Sequence, residues 1–267
     1  MASRIPVGPM MPLPVPRQLP TLHDLAYNLW WSWDTAATAL WSTIDALQWA
    51  RLANPIPLLQ QVKPDRWEAV LADPSFVDRY HDVERRFQAH LIGEGSWFTK
   101  HHPESRSGPI AYLCAEYGIQ QKMRLYSGGL GVLAGDHVKA ASDLGLPLVA
   151  VGLLYRKGYF QQAVDPDGNQ QHTFLPMDPS RRPIRRVLDP RTGLPLQVVI
   201  DLPGRSISVA AWRLDVGRVP LLLLDTDIAE NDPADRPITH ILYVRGREMR
   251  FTQELVLGIG GARVLSA

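Results

Sequence analysis

Four glycines, Gly128, Gly129, Gly131 and Gly135, lie close together in the stretch SGGLGVLAGD. A glycine lets the backbone turn sharply and come close to a ligand, because no Cβ stands in the way. A helix that begins at such a turn directs free N–H groups and the positive end of its dipole at whatever lies in front of it. This arrangement binds anions, and phosphate most naturally. On spacing alone, a tight loop packed beneath another element explains the glycines equally well.

The same stretch contains the spacing G-x-G-x-x-A over residues 129–134, a formal match to the fingerprint of dinucleotide-binding proteins. That fingerprint needs a strand that leads directly into a helix, whereas about a dozen residues separate the predicted strand around Cys114 from Gly128. It also needs an acidic residue about 20 positions further on for the ribose, and neither Asp nor Glu occurs between Asp143 and Asp165. The sequence therefore argues against a nicotinamide site.

The residue spacings typical of other common active sites do not occur in the sequence. It contains no GxxxxGK[ST] phosphate loop, and Ser127 lacks the flanking glycine of a G-x-S-x-G nucleophile turn. The eight histidines show no HExxH or similar pattern, so we expect no metal site. The formal net charge is +1, so the chain has no general electrostatic attraction for nucleic acid or for an anionic membrane.

The compartment is indicated by the apolar runs and by the cysteine content. The longest apolar run, residues 144–155, is too short to span a bilayer, which needs ~20 residues. The single cysteine, Cys114, lies in an apolar stretch, where we expect a buried structural thiol rather than a reactive one. One cysteine excludes an internal disulfide and fits a reducing compartment. We therefore expect a cytoplasmic protein without a membrane partner.

Three parts follow one another along the chain. Residues 1–19 are rich in proline, and we expect an extended segment there. Residues 20–100 show the apolar spacing of helices and contain seven of the eight tryptophans. Four of them, Trp30, Trp33, Trp41 and Trp49, follow helical spacing, which favours packing within a helical N-terminal domain; a sugar-stacking platform is the alternative. After a polar, turn-rich boundary at 101–109, residues 109–267 alternate between strand and helix and form the third part.

The third part indicates an α/β fold. Its uninterrupted apolar strand at 147–155 predicts burial on both faces, as in a parallel sheet with helices on either side. The sequence DPDG at 165–168 predicts the turn of a hairpin. The other predicted elements are a helix at 128–145, strands around 195–201, 206–214 and 219–225, and a last helix from about Arg247 to the terminus.

Longer motifs indicate a family. The stretch AEYGIQQKMRLYSGGLGVLAGDHVKAASDLGLPLVAVGLLYRKGYFQQ resembles the N-terminal half of bacterial α-glucan (glycogen or maltodextrin) phosphorylases of the shorter branch. LAYNLWWSWD and NPIPLLQQV resemble the helical segment that precedes their catalytic body, and QELVLGIGGARVL resembles the helix that ends their first half-domain. The resemblance covers the chain from about residue 18. It implies the N-terminal, Rossmann-like lobe of a GT-B glycosyltransferase fold, preceded by a helical segment.

The resemblance also implies a reaction. Enzymes of this family transfer the terminal glucose of an α-1,4-glucan to inorganic phosphate and release glucose 1-phosphate. Their cofactor is pyridoxal phosphate, whose phosphate group assists proton transfer. The active site lies in the cleft between two lobes. We therefore expect α-1,4-glucan and inorganic phosphate as the ligands of the whole protein.

The glycine stretch has a counterpart in the family. By resemblance, Gly128, Gly129 and Leu130 stand at the family's glycine loop, where the helix N-terminus stabilises the substrate phosphate and the developing charge. Glu116 matches a recurrent acid after the first strand. This acid either lines the cleft or supports the loop, and the sequence leaves both roles open.

Two further groups of residues are assigned near the cleft. Ser127 and Asp136 lie on either side of the glycine loop in sequence and are candidates for lining the cleft. Arg250, Gln253 and Glu254 match the family's R-x-x-Q-E pattern, which we interpret mainly as structural support.

The sequence departs from the family in two respects. The lysine that forms a Schiff base with pyridoxal phosphate lies in the family's second lobe, and none of the five lysines here lies in a matching motif. We therefore expect this chain alone to be inactive, and to pair with a C-terminal lobe or with copies of itself. The family also carries an acid shortly after a Leu-Tyr pair, where this chain has Gly246. That departure weakens any assignment of sugar contacts there.

Two other classes of protein stay open. Glycogen and starch synthases share the GT-B fold and a K-T-G-G-L motif, but Ser127 precedes the glycines here and the synthase lysine is missing. Binding of ADP-glucose, rather than of glucan and phosphate, would favour a synthase. The non-enzymatic alternative is a glucan-binding protein or a half that pairs with a separate lobe, and an exposed apolar cleft face would favour pairing.

Overall fold

The structure is a computed structural model that describes residues 5–104 and 108–267. The first four residues of the proline-rich segment and residues 105–107 of the predicted boundary lie outside the described residues. Residues 5–19 form no helix, and Val7 makes a single antiparallel bridge to Val187 at the edge of the main sheet. Leu13 and Leu19 are buried, so this segment packs against the body of the protein.

Helices dominate the chain up to residue 101. A side-chain oxygen caps several of them; Asp73 accepts a hydrogen bond from the Ser75 N–H at 2.9 Å, and Pro74 occupies the first helical position. This confirms the predicted start of the longest helix, which ends at Gly93 with a φ of 69°. The helices are α1 (Thr21–Tyr27), α2 (Thr35–Ile44), α3 (Ala46–Leu52), α4 (Pro55–Leu59), α5 (Pro64–Leu71), α6 (Pro74–Ile92) and α7 (Trp97–His101).

Tryptophans fill the centre of this helical layer. Trp30, Trp31 and Trp41 are buried, and the Trp31 and Trp41 rings meet edge to face with centroids 6.4 Å apart. Trp49 is partly buried and packs against both rings. The packing interpretation is therefore confirmed for these four side chains. Asn28 joins the layer to the sheet, because its side chain exchanges two hydrogen bonds with the backbone of Gly217, at 2.9 and 2.8 Å.

The main sheet is mixed rather than parallel. Its order is β1-β2-β8-β7-β5, and β6 pairs with the remaining part of β7. Only β1, β2 and β8 run parallel, while β7 is antiparallel to β8, β5 and β6. The strands are β1 (Ile110–Leu113), β2 (Leu148–Leu153), β5 (Ile184–Arg186), β6 (Gln197–Leu202), β7 (Arg205–Val216) and β8 (Val219–Asp225).

A short turn explains why the predicted parallel sheet is only partly correct. Gly217 and Arg218 alone connect β7 to β8, and Gly217 has a φ of 59°. A connection of two residues forces the strands to run antiparallel. The prediction for the strand at 147–155 holds at its centre, since β2 is buried at every position. The architecture is thus mixed α/β.

A separate two-stranded hairpin, β3 (Gln161–Val164) and β4 (Gln170–Thr173), projects from the main sheet. The Asp165 Oδ1 atom accepts hydrogen bonds from the N–H groups of Asp167 and Asn169 at 3.0 and 2.8 Å. Gly168 has a φ of 83°, which a glycine adopts without strain. The turn predicted from DPDG is confirmed. Every residue of both strands is exposed.

Two helical segments contact the centre of the sheet. Helix α8 (Gly129–Leu144) contacts β2, β7 and β8, and a segment comprising α9 (Arg247–Leu255), a π-helical turn (Val256–Gly260) and α10 (Gly261–Ser266) contacts β2, β6 and β8. Both occupy the positions predicted from sequence. Within the described residues, no helix combines the length and the apolar character needed to cross a membrane. Cys114, which follows β1, is buried as expected.

Candidate functional site

The glycine loop lies at the carboxyl edge of the parallel strands. Glu116 follows β1, Asp225 ends β8, and residues 114–128 lead from the end of β1 to the start of α8. Ligands of open α/β sheets commonly bind outside this edge, where strands end and helices begin. The loop therefore lies where the fold can present a ligand site.

Gly128 and Gly129 have open space in front of them. Gly128 has φ −148° and ψ −161°, an extended conformation, and neither residue has a positive φ. A Cβ built on either residue would meet no atom within 4 Å. Both residues are exposed. The backbone conformation therefore does not require glycine at either position.

The start of α8 presents unpaired donors beside that open space. The Val132 N–H donates to the Gly128 carbonyl at 3.3 Å and closes the first turn of the helix. The N–H groups of Gly129, Leu130 and Gly131 precede this bond and have no acceptor among the residues that the structure describes. Leu130 is 49% exposed, so its apolar side chain also faces outward at this end. The helix N-terminus thus offers donors and a positive dipole end to an anion.

Gly131 and Gly135 serve a different purpose, which is close packing. A Cβ on Gly131 would lie 2.4 Å from Tyr126 Cβ, and one on Gly135 would lie 2.4 Å from the Gly118 carbonyl oxygen. The Gly118 N–H donates to the Gly131 carbonyl at 2.6 Å. These contacts fix the first turns of α8 against the segment that follows β1. The packing explanation of the glycine stretch therefore holds for Gly131 and Gly135, and the anion-site explanation stays a prediction for Gly128 and Gly129.

Glu116 binds the backbone of the glycine loop from the buried side. Its side chain is buried, and Oε2 accepts hydrogen bonds from the backbone N–H groups of Ser127 and Gly128 at 2.7 and 3.3 Å. Its Oε1 accepts from the Tyr243 hydroxyl at 2.7 Å. Because both carboxylate oxygens are occupied by loop and tyrosine, the geometry favours the supporting role of Glu116 over a role as a cleft acid. Ser127 is exposed and contributes to the site through its position beside Gly128.

Tyr243 connects this network to helix α9. Burial, together with the hydrogen bond to Glu116, raises the pKa of Tyr243 to about 12, so the hydroxyl stays protonated and donates at neutral pH. The Arg250 guanidinium lies over the Tyr243 ring, 5.4 Å from its centroid. Gln253 is buried and donates from Nε2 to the carbonyls of Ile238 and Ile241, at 2.7 and 2.9 Å. These contacts fix the segment that carries Tyr243.

The remaining predicted residues lie further from the loop. Asp136 is exposed on α8, about 10 Å along the helix from Gly129, and its charge acts on Lys139 rather than on the loop. Glu254 pairs with Arg250 one turn away on α9. The structure therefore brings Glu116, Ser127 and the start of α8 together, and holds them through α9.

Two contributors were not assigned to the site from sequence. Tyr243 was noted only as part of the Leu-Tyr pair, and Gly118 was not singled out at all. No local signal marks Gly118, because its close contact with α8 forms only in the folded chain. Gly246, at the position where the resemblance led us to expect an acid, has a φ of 98°. An Asp at that position would be strained, because side chains rarely adopt this conformation.

Comparison with known proteins identifies relatives of this chain. A family model described as a protein of unknown function (DUF3417) matches residues 15–123. The maltodextrin phosphorylase of Thermococcus litoralis is 44% identical over 251 residues, which are 94% of this chain and 30% of that protein. The glycogen phosphorylase of Mycobacterium tuberculosis is 39% identical over 95% of this chain and 30% of its own length. That of Aquifex aeolicus is 35% identical over 90% of this chain and 34% of its own length. The chain thus spans about a third of these relatives.

Proposed function

We propose that this chain, which belongs to the α-glucan phosphorylase family and corresponds to an N-terminal portion of its relatives, forms one side of the phosphate site of such an enzyme. The whole protein would transfer a terminal glucose of an α-1,4-glucan to inorganic phosphate. The observation that carries the proposal is the start of α8, where the backbone N–H groups of Gly129, Leu130 and Gly131 have no acceptor among the described residues and two exposed glycines border open space.

The proposed role of α8 is electrostatic. The N–H groups of Gly129, Leu130 and Gly131 would donate to phosphate oxygens, and the positive end of the helix dipole would favour their charge. Donors fixed in place before the reaction stabilise charge that develops during it, and loss of one such donor typically costs about 10²–10³ in rate. Glu116 would act as a positioning residue, because it binds the loop backbone from the buried side.

The family's cofactor, pyridoxal phosphate, supplies an acid/base phosphate group when bound. The residues described here do not provide a lysine for it at this site. No lysine lines the cavity that opens beside Ser127, and the Lys139 ammonium lies 5.7 Å from the centre of the Trp33 ring. We therefore propose that the cofactor is held by residues of the whole protein that this chain does not contain, and that this chain alone forms no glucose 1-phosphate.

A second lobe would complete the site. We propose that the mixed sheet is the core of the N-terminal lobe of a GT-B fold. Leu130 and Leu133 lie three residues apart on α8 and are 49% and 66% exposed, and contiguous exposed apolar surface can mark an interaction site. These residues support pairing with a second lobe, or with another copy of the chain. We further propose a cytoplasmic location, which fits a protein whose single cysteine is free.

A chimeric enzyme tests the proposal. The part of the Thermococcus litoralis maltodextrin phosphorylase that aligns with this chain is replaced by the chain itself, and phosphorolysis of maltodextrin is measured. We expect activity, because the glycine loop would occupy the position of its counterpart. In the chimera, Gly129→Val should lower kcat/KM for phosphate by about a hundredfold, since a branched side chain would fill the space in front of the N–H groups.

Gly258 provides the matched control. A Cβ there also meets no atom within 4 Å, and the residue lies in the π-helical turn, outside the loop. Gly258→Val should therefore leave kcat/KM for phosphate within about twofold. A folded chimera in which both variants lower it equally, or neither does, would refute the assigned role of the loop. Glucose 1-phosphate formation by the 267-residue chain alone, with maltodextrin, phosphate and pyridoxal phosphate, would refute the proposed dependence on a second lobe.

A further inference from the structure

A large cavity opens directly beside the glycine loop. Its volume is about 750 Å³, within the range of small-molecule sites. Ser127, the residue before the two open glycines, lines its near end, and the hairpin of β3 and β4 forms its opposite side. The segment 241–245, which carries Tyr243, forms a third side. We call this space the hairpin cavity.

The hairpin presents a group of aromatic rings to this cavity. The ring of Phe160 lies at the centre of the group, with the centroids of Tyr159 and His172 both 4.6 Å away and that of Phe174 6.0 Å away. All four residues line the cavity. Tyr159 is 42% exposed, although burying a large aromatic side chain would stabilise the protein. Packing among the rings therefore leaves part of the aromatic surface uncovered in the described chain.

Polar groups border the same rings. The Gln170 amide nitrogen donates to the His172 Nε2 atom at 2.7 Å. The amide oxygen of Gln170 and the Nδ1 atom of His172 have no partner among the described residues. Arg245 also lines the cavity and has no ion pair within the part of the chain that the structure describes. Flat apolar surfaces bordered by hydrogen-bonding groups suit a ligand that is apolar on one face and polar at its rim.

A pyranose ring has this character, because its C–H bonds point to its two faces and its hydroxyl groups point outward. We propose that an α-1,4-glucan chain lies in the hairpin cavity, with one glucose ring stacked on Phe160 and its hydroxyls bonded to Gln170 and His172. The inference rests on the proposed function, which requires a glucan chain close to the phosphate. It assigns the glucan contacts to the hairpin, which takes no part in the proposed phosphate site.

Binding of maltoheptaose to the 267-residue chain tests the inference. Wild-type protein and variants are titrated with the saccharide and followed by NMR, through the aromatic signals and the Kd that they give. Phe160→Ala should weaken binding by about tenfold, because the stacking surface is lost. Phe160→Leu should weaken it almost as much, since it keeps an apolar side chain of similar size but removes the flat ring. Melting temperatures verify that both variants fold.

Val164→Ala is the matched control. Val164 lies on the same hairpin, is 68% exposed and does not line the cavity, so the Kd should stay within about twofold of wild type. The inference is overturned if the wild-type chain does not bind maltoheptaose, if Phe160→Leu binds it as tightly as wild type, or if Val164→Ala weakens binding equally. It is also overturned if the aromatic signals respond to protein concentration instead of saccharide, because another protein surface then occupies the cavity.

Phosphate binding separates this inference from the proposed function. Gly129→Val should weaken the binding of inorganic phosphate by about tenfold without changing the Kd for maltoheptaose. Saccharide binding that depends on Phe160, in a chain that does not bind phosphate, would support the hairpin site and count against the phosphate role of the loop. Phosphate binding without saccharide binding would support the phosphate role of the loop and count against the hairpin site.

Discussion

Two pairs of glycines in one short stretch have opposite surroundings. Gly128 and Gly129 face space in which a Cβ meets nothing within 4 Å, whereas a Cβ on Gly131 or Gly135 would lie 2.4 Å from its nearest neighbour. The space beside the first pair is therefore free of other atoms of the described chain. At the second pair, the lack of a side chain lets α8 pack closely against Tyr126 and the segment that contains Gly118. The residue type is the same in both pairs, so the surroundings in the folded chain are what distinguish them.

If the proposed anion site is correct, the two pairs separate stability from ligand binding along a single helix. Overpacking at Gly131 or Gly135 must move backbone or the base of a side chain, which costs free energy of unfolding. Substitution at Gly128 or Gly129 costs almost none, because the backbone there is extended or helical and the space is open. We therefore expect stability and anion binding to respond to different glycines.

Gly135→Val should have the largest effect on stability. The added side chain would push against the Gly118 backbone, and we expect a loss of about 3 kcal/mol in the free energy of unfolding, measured by urea denaturation. The m-value should stay unchanged, since the folded state remains compact. A loss below about 1 kcal/mol would mean that α8 moves away from the Gly118 segment easily, and the packing role would then be wrong.

Glu116→Ala tests the support beneath the loop. The substitution leaves the Ser127 and Gly128 N–H groups and the Tyr243 hydroxyl without their acceptor, and should cost about 2–3 kcal/mol by the same measurement. Glu116→Gln is the matched control, because its amide oxygen can still accept one of these bonds. If both variants are as stable as wild type, Glu116 does not hold the loop.

Tyr243→Phe should cost about 1 kcal/mol or less, since it removes one hydrogen bond at a partly exposed position. The pH dependence gives a second measurement. The folded pKa of about 12 lies above the ordinary value of 10.0, so the stability from this hydroxyl is present below pH 10 and is lost as the pH rises through 12. The variant should lose less stability than wild type over that range. Parallel pH curves would contradict the assigned hydrogen bond.

Gly129→Val should have the smallest effect on stability, within about 0.5 kcal/mol of wild type. Its φ is not positive, and the new side chain meets no neighbour. Gly129→Val and Gly135→Val make the same substitution in the open pair and in the packed pair, so their free energies of unfolding can be compared directly. A loss at Gly129 as large as that at Gly135 would abolish the distinction between the two pairs.

Local patterns predicted individual elements well. The DPDG turn, the uninterrupted apolar strand that became β2 and the cap at Asp73 all depend on neighbouring residues, so their signals lie in short stretches of sequence. The mixed direction of the sheet was not predicted, although Gly217 and its single companion residue at the β7–β8 turn carried the signal. The strand at Ile184–Arg186 was also missed, because it is short and rich in arginine.

The candidate site was predicted in part. The glycine loop and Glu116 follow from local sequence and from family resemblance. The division of the four glycines into an open and a packed pair does not, because it depends on Gly118 and Tyr126, which approach α8 only in the folded chain. Likewise, the bond between Tyr243 and Glu116 joins residues 127 positions apart, and no spacing rule connects them.

Phosphate binding by the chain itself tests the central claim most directly, which is that the open glycines at the start of α8 form an anion site. Inorganic phosphate is titrated into wild type, Gly129→Val and Gly258→Val, and the Kd is measured by NMR. We predict that wild type and Gly258→Val bind phosphate with the same Kd, and that Gly129→Val binds it about tenfold more weakly. Equal binding by all three proteins, or no binding by wild type, would contradict the account.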